Sequence, residues 1–240
     1  ISSELSEIVE ARIIWGGDNT VNKFKTFKTK PRCIDLAFAN RYSISLIDSN
    51  KLGKLNSKNL SSLTKKFYND TYTMDQFGCS SPNSIFWLGK NKIAKKNFWY
   101  ELKKIVDNEY NLDLSGANKK ISNLMNYTLG KNKGLKANIR NFNLITLKSK
   151  KLNFDNFENI SFGTFVEIDL NNINHLQKYT SEKLQTITYF GTDFNSIKKF
   201  IIKNKIKGID RVVPIGRAFD LTPEWDGVDI IATLSRTIGV

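Results

Sequence analysis

Two rhythms of apolar and polar positions run along this chain. Ala11-Arg12-Ile13-Ile14-Trp15 is a short β-rich run, Gly16-Gly17 turns the chain, and Asp18 is placed to cap a helix carrying Val21, Phe24 and Phe27. Strands are predicted at 32–38 and 43–47. Asn56 or Ser57 caps a helix through Leu60, Leu63, Phe67 and Tyr68, whose apolar positions recur at helical spacing. The segment from Met74 to Asn83 is small, polar and turn-prone, and it enters at once the apolar run Ile85-Phe86-Trp87-Leu88. Cys79 is therefore expected on a loop between a helix and a strand. Helices follow near 92–109 and 116–127, strands at 144–147 and 164–168, and a short helix at 172–179. A strand at 184–189, a helix at 194–204, a strand at 211–215 and a last helix near 227–236 complete the reading. Strands alternating with helices at this spacing predict an α/β fold with a largely parallel sheet.

Charge and composition narrow the functions open to such a fold. The 240 residues carry 37 Lys and Arg against 23 Asp and Glu, a net charge of +14. Such an excess would attract nucleic acid, but the lysines are scattered among asparagines and isoleucines along the whole chain, so no nucleic-acid partner is expected. The densest run, Lys90, Lys92, Lys95, Lys96, Lys103 and Lys104, is interleaved with Ile93, Phe98, Trp99, Leu102 and Ile105. It reads as an amphipathic helix with a solvated lysine face, with an acidic small molecule or carrier protein as the alternative. No run of 18 apolar residues and no signal-peptide pattern is present, so a cytoplasmic protein without a membrane span is expected. Two cysteines and His175 cannot supply a four-ligand Cys/His zinc site, and His175 has no nucleophile-elbow pattern nearby.

Cys79 is the sharpest chemical candidate. A thiol nucleophile needs access, close approach of substrate to backbone, and donors for a developing oxyanion. Gly78 removes a side chain beside it, and the N–H of a loop cysteine can be aimed at a carbonyl oxygen. The competing reading is a small buried hydrophobe, which is how Cys33, inside an apolar strand, is read. Gly16-Gly17 could admit a pyrophosphate to a helix N-terminus or could be a plain turn, and an Asp18 cap would repel phosphate there. Trp225-Asp226-Gly227 reads as a turn into the last helix.

Taken in order, several segments resemble the LuxC-type acyl-CoA reductases, fatty-acid reductases that are aldehyde-dehydrogenase-like in fold. They are Ile14-Trp15-Gly16-Gly17-Asp18, Asp35-Leu36-Ala37-Phe38 through Arg41-Tyr42-Ser43, and Asp75-Gln76-Phe77-Gly78-Cys79-Ser80-Ser81-Pro82. Leu184-Gln185-Thr186-Ile187, Arg211-Val212-Val213-Pro214-Ile215-Gly216 and Trp225-Asp226-Gly227-Val228-Asp229 continue the likeness across residues 11–238. The resemblance implies the end of a Rossmann-type cofactor domain over 1–47 followed by an α/β catalytic domain over 48–240, with the N-terminal part of the enzyme absent. It implies an acyl-CoA or acyl carrier protein as substrate, NADPH as hydride donor, an aldehyde product, an oligomer, and a partner subunit for acyl transfer. Cys79 matches the family's nucleophile, and Trp15, Gly16 and Gly17 match the segment beside the cofactor pyrophosphate. Phe162-Gly163 matches, more loosely, a segment on the nicotinamide side. Hydrolytic aldehyde dehydrogenases carry a Glu base where this chain has Arg41-Tyr42-Ser43-Ile44-Ser45, a departure that favours reduction over hydrolysis. The alternative is a non-catalytic domain of the same fold that binds an acyl carrier or acts as a scaffold.

Overall fold

A computed structural model describes residues 1–129, 136–148, 160–236 and 238–239. In chain order the elements begin with α1 (Ser2–Ile8), β1 (Ala11–Trp15), α2 (Asp18–Lys25), β2 (Ile34–Phe38), β3 (Tyr42–Asp48), α3 (Ser49–Leu52), α4 (Ser57–Tyr72) and β4 (Pro82–Leu88). Then come α5 (Lys92–Glu109), α6 (Leu114–Leu129), β5 (Lys136–Asn141), β6 (Leu144–Lys148), β7 (Thr164–Asp169) and a 3-10 turn over Ile173–Tyr179. The chain closes with β8 (Leu184–Phe190), α7 (Phe194–Lys203), β9 (Arg211–Pro214), β10 (Glu224–Trp225), β11 (Val228–Asp229) and α8 (Ile230–Leu234). Two compact units form, one from Ile1–Arg41 with Leu221–Val240 and the other from Tyr42–Asp220.

In the first unit β1 and β2 pair in parallel, Ile14 beside Ala37, with α2 as the crossover. The buried Arg12 guanidinium ties the elements together: it pairs with Asp35 (Nε to Oδ1, 2.7 Å) and donates to the Ser6 hydroxyl at 3.1 Å and the Phe24 carbonyl at 3.0 Å. That pairing holds the Asp35 carboxyl below the usual carboxylate range. The N-cap of α2 is Gly17, not Asp18, which stands in the first turn. Cys33 precedes β2 and is half-buried, outside the apolar strand expected to contain it. The last helix is shorter than 227–236 because Trp225 and Val228 pair across a tight antiparallel turn. Asp226 and Gly227 at that turn have φ of 50° and 72°, the left-handed pair an Asp-Gly hairpin takes.

The second unit is a seven-stranded sheet in the order β5-β6-β7-β4-β3-β8-β9, parallel except for the β5–β6 hairpin. The central β3 and β4 are buried on both faces, as parallel strands covered on both sides must be. Ile44, Leu46, Phe86 and Ile168 pack with Leu176, Ile197 and Phe200 on one face. Ile47, Ile85 and Trp87 pack with Phe67, Phe98, Trp99 and Leu102 of α4 and α5 on the other. Asn56 caps α4 by accepting the Asn59 N–H at 2.9 Å, and Asn91 caps α5 through the Ala94 N–H at 3.0 Å. The units divide at Arg41/Tyr42 because β3 pairs with β4 and β8, and residues 221–240 return to the first unit. No helix among the described residues is long and apolar enough to cross a membrane.

Candidate active site

The second unit builds a tight turn around Cys79 at the amino end of β4. The chain leaves α4 through Asp75 and Gln76, whose φ angles of 50° and 63° reverse its direction. The Ser81 N–H donates to the Gly78 carbonyl at 2.9 Å, so Cys79 and Ser80 form the tip of a turn, as the loop reading of Cys79 expects. Cys79 is half-buried and in no disulfide.

Three side chains hold this turn. The fully buried Ser43 hydroxyl donates to the Cys79 carbonyl at 2.6 Å and accepts the Thr186 N–H at 3.1 Å. Ser43 stands where the β3–β4 and β3–β8 registers both shift, so its hydroxyl takes up an amide that an unbroken ladder would use. The Gln76 amide, also fully buried, donates to the carbonyls of Pro82 (3.2 Å) and Thr164 (3.3 Å). Its Oε1 accepts the N–H groups of Gly163 (2.8 Å) and Thr164 (3.2 Å). This accounts for the Gln of the Asp-Gln-x-x-Cys segment as a cross-brace between the cysteine turn and the start of β7. Gly163 has φ of 74°, and a Cβ there would stand 2.0 Å from the Asn143 carbonyl, so only glycine fits. The Ser81 hydroxyl donates to the Asp70 carbonyl at 2.7 Å.

Asp70 fastens a second wall. Its carboxylate accepts the N–H groups of Gly216 (2.6 Å) and Ala218 (3.0 Å), and burial pushes its carboxyl up to about 6. Arg211 donates to the carbonyls of Ala218 (2.6 Å), Arg217 (3.1 Å) and Asp220. The loop so held carries Phe219, whose ring would lie 2.7 Å from a Cβ on Gly78, with the Met74 sulfur at 3.6 Å. The space freed by Gly78 is thus filled by an aromatic ring. Met74 and Phe77 are exposed, so an apolar lip lies beside Gly78, the residue before the cysteine. Arg211 and Cys79 interact electrostatically.

Lys120 supports the far side. Fully buried, it donates to the carbonyls of Phe142 (2.5 Å) and Phe162 (2.6 Å), and burial pulls its ammonium down to about 7. Phe162 in turn packs edge-on against Phe77, ring centres 5.0 Å apart, so Phe162-Gly163 lies against the cysteine loop. Sequence reasoning missed Ser43, Asp70, Arg211 and Lys120 as supports. Asp70 alone left a signal, falling on the buried stripe of α4 with Leu63 and Phe67.

Trp15, Gly16 and Gly17 lie in the first unit. Trp15 is exposed and stacks on Phe38 at 4.7 Å, and a Cβ on Gly16 would meet Thr20 at 2.9 Å. Gly17 caps α2 without a side chain over its N-terminal amides, and Asp18 accepts the Asn40 N–H at 3.1 Å. A glycine cap places no side chain of its own beside the amides, which suits a phosphate-bearing cofactor. The Asn40 side chain stands 3.5 Å from where a Gly17 Cβ would be, and the Asp18 carboxylate, in the first turn, is engaged by the Asn40 N–H.

Among solved structures, the fold is similar to a NAD-dependent aldehyde dehydrogenase from Sinorhizobium meliloti (10% identity, TM-score 0.64, 93% of this chain and 46% of that one). It is also similar to an NADP dependent enzyme from E. coli (9% identity, TM-score 0.62, 90% of this chain and 47% of that one). A betaine aldehyde dehydrogenase from Staphylococcus aureus in complex with NAD+ aligns at 11% identity and TM-score 0.59, over 93% of this chain and 46% of that one. The chain spans a little under half of each. No curated protein matches it. The acyl-CoA reductase (LuxC) family matches residues 1–237, so the chain belongs to the LuxC acyl-CoA reductase family.

Proposed function

We propose that this chain carries the acyl-accepting lobe of an NADPH-dependent reductase that converts a long-chain acyl-CoA, or a related acyl thioester, to the aldehyde through an acyl-cysteine. The observation that supports it most is the seat of Cys79: a half-buried thiol at the tip of a fixed turn, next to Gly78 with its apolar lip of Met74, Phe77 and Phe219. The lip suits an alkyl chain.

In this reading the Cys79 thiolate adds to the thioester carbonyl carbon, forming the S–C bond and placing the negative charge on oxygen. Collapse breaks the bond to the departing sulfur, which leaves as the CoA thiolate and takes a proton from solvent, and the acyl group stays on Cys79. Ser43 and Gln76 act on geometry, fixing the turn so that the sulfur meets the carbonyl in one orientation. Trp15, Gly16 and Gly17 are the residues proposed to hold NADPH. Bound there, NADPH supplies the hydride that takes the acyl group to the aldehyde level. After reduction the thiohemiacetal on Cys79 loses its hydroxyl proton and expels the sulfur, giving aldehyde and the starting thiolate.

Intact-protein mass spectrometry after incubation with palmitoyl-CoA tests this. An adduct of acyl mass in the wild type and none in Cys79→Ala is the expected result, with discharge on adding NADPH where the chain also holds the cofactor. No adduct on the wild type, or an adduct that survives Cys79→Ala, overturns the assignment and favours a non-catalytic acyl-carrier-binding or scaffolding role.

A further inference from the structure

The lysine run of α5 does more than face solvent. A crevice of about 710 Å³ opens at the carboxyl ends of β4 and β7, lined among others by Lys90, Lys92, Lys96, Arg140 and Asn171. The chain leaves β4 toward α5 on one face of the sheet and leaves β7 toward the 3-10 turn on the other. Adjacent parallel strands that part in this way leave a gap outside their carboxyl ends, where open α/β sheets receive ligands. Its size falls within the roughly 300–1,000 Å³ usual for small-molecule sites.

The charge inside is unbalanced. Six cationic side chains line the crevice against the carboxylates of Glu167 and Asp169. Both carboxylates are already engaged. Glu167 accepts the indole N–H groups of Trp87 (2.9 Å) and Trp99 (2.7 Å). Asp169 pairs with Lys95 at 2.5 Å and Lys148 at 3.9 Å. Arg140 is fixed over the Trp99 ring at 4.9 Å and donates to the Thr146 hydroxyl at 2.9 Å. Lys90, Lys92 and Lys96 are exposed and form no ion pair among the described residues. Three ammonium groups lining one open crevice, with no ion pair among the described residues, call for a ligand with several negative charges close together.

We infer that this crevice binds the phosphate chain of a di- or triphosphate. Lysine ammonium groups act as point charges toward phosphate, and the nearly buried Trp99, already covered by Arg140, leaves no open ring for a base to stack on. Recognition therefore rests on the phosphates. The site is separate from the thiol: Cys79 precedes the amino end of β4, and the crevice lies about 20 Å away at the other end of that strand. It does not depend on the acyl chemistry proposed above.

Isothermal titration with inorganic tripolyphosphate and with ATP tests the site, using the 240-residue chain. Saturable binding is expected, weakened at least about tenfold in Lys90→Glu/Lys92→Glu/Lys96→Glu because three charge contacts are removed at once. The control Lys178→Glu/Lys198→Glu/Lys199→Glu, with the same net charge, is expected to bind as the wild type does. Equal affinity for the two probes assigns recognition to the phosphate chain alone, and tighter ATP binding assigns it to a nucleotide. In the wild type, tripolyphosphate is expected to protect Lys90, Lys92 and Lys96, but not Lys198 and Lys199, from acetylation read by mass spectrometry. No saturable binding, equal loss in the control variant, or absence of protection overturns the inference.

Discussion

Replacing Ser43 by alanine tests whether a bulged centre of the sheet holds the nucleophile. The hydroxyl donates to the Cys79 carbonyl at 2.6 Å and accepts the Thr186 N–H at 3.1 Å, and the side chain is fully buried. Alanine removes both bonds and adds nothing in their place. The Thr186 amide lies in the interior and keeps its full desolvation penalty, about 1 to 3 kcal/mol. The Cys79 carbonyl is only part-buried, so water recovers part of its loss and the cost there is about 1 kcal/mol. Ser43→Ala should therefore lower stability by about 2 to 4 kcal/mol in urea denaturation. Acylation of Cys79 by palmitoyl-CoA should slow by roughly tenfold or more, since it needs the sulfur in one orientation. Alkylation by iodoacetamide, a small reagent with no such demand, should change much less. A stability loss below about 0.5 kcal/mol, the scale of an ordinary surface substitution, together with unchanged acylation would refute the reasoning.

Three further outcomes follow from the supporting residues. Burial raises the folded-state carboxyl of Asp70 to about 6 from 3.8, so its contribution to stability is fully present below about pH 4 and is lost as pH rises through about 6. The stability of the wild type relative to Asp70→Asn, measured by chemical denaturation, should fall across that window by at most about 3 kcal/mol. Lys120 has the opposite sign: burial lowers its ammonium to about 7 from 10.5, so the folded state holds fewer protons and stability rises with pH between those values. Denaturation at pH 7 and pH 9 should show that rise in the wild type and its absence in Lys120→Met. Gly78→Ala would drive a Cβ to 2.7 Å from the Phe219 ring. It should cost about 1 to 3 kcal/mol by overpacking and speed modification of Cys79 as the ring is pushed aside, which a thiol-labelling rate would show.

The framework of the second unit was legible because its signals are local. Asn56 caps α4 from one of the two positions read in the sequence, and the strand at 43–47 and the apolar run at 85–88 are sheet-centre strands, whereas the Asn91 cap of α5 is absent from that reading. The polar β5, Lys136–Asn141, could not be foreseen, since it is a strand only by pairing with β6. At 172–179 the helix is a 3-10 turn over Ile173–Tyr179. The Asp226-Gly227 dipeptide did carry a hairpin signal, and the helical reading gave it too little weight. The site divides along the same line. Cys79 stands on the loop its flanking residues announce. Ser43, Arg211 and Lys120 act through carbonyls contributed by distant segments, a relation that neither periodicity nor spacing encodes.

The division of the chain into units also bears on how the protein forms. The larger unit, Tyr42–Asp220, is one continuous stretch, whereas the smaller joins Ile1–Arg41 to Leu221–Val240. During synthesis, residues 1–41 emerge before the larger unit, and their own unit is completed after it, when residues 221–240 follow. Within the larger unit β3 is flanked by β4, close in sequence, and by β8, which begins at Leu184, so the centre of the sheet closes only once β8 has been made. Loop-closure entropy is spent before such distant pairings repay it, which makes folding slow. Until β8 arrives, the unpaired side of β3, together with the waiting β1–β2 segment, is therefore where chaperone binding or aggregation would compete with completion of the fold.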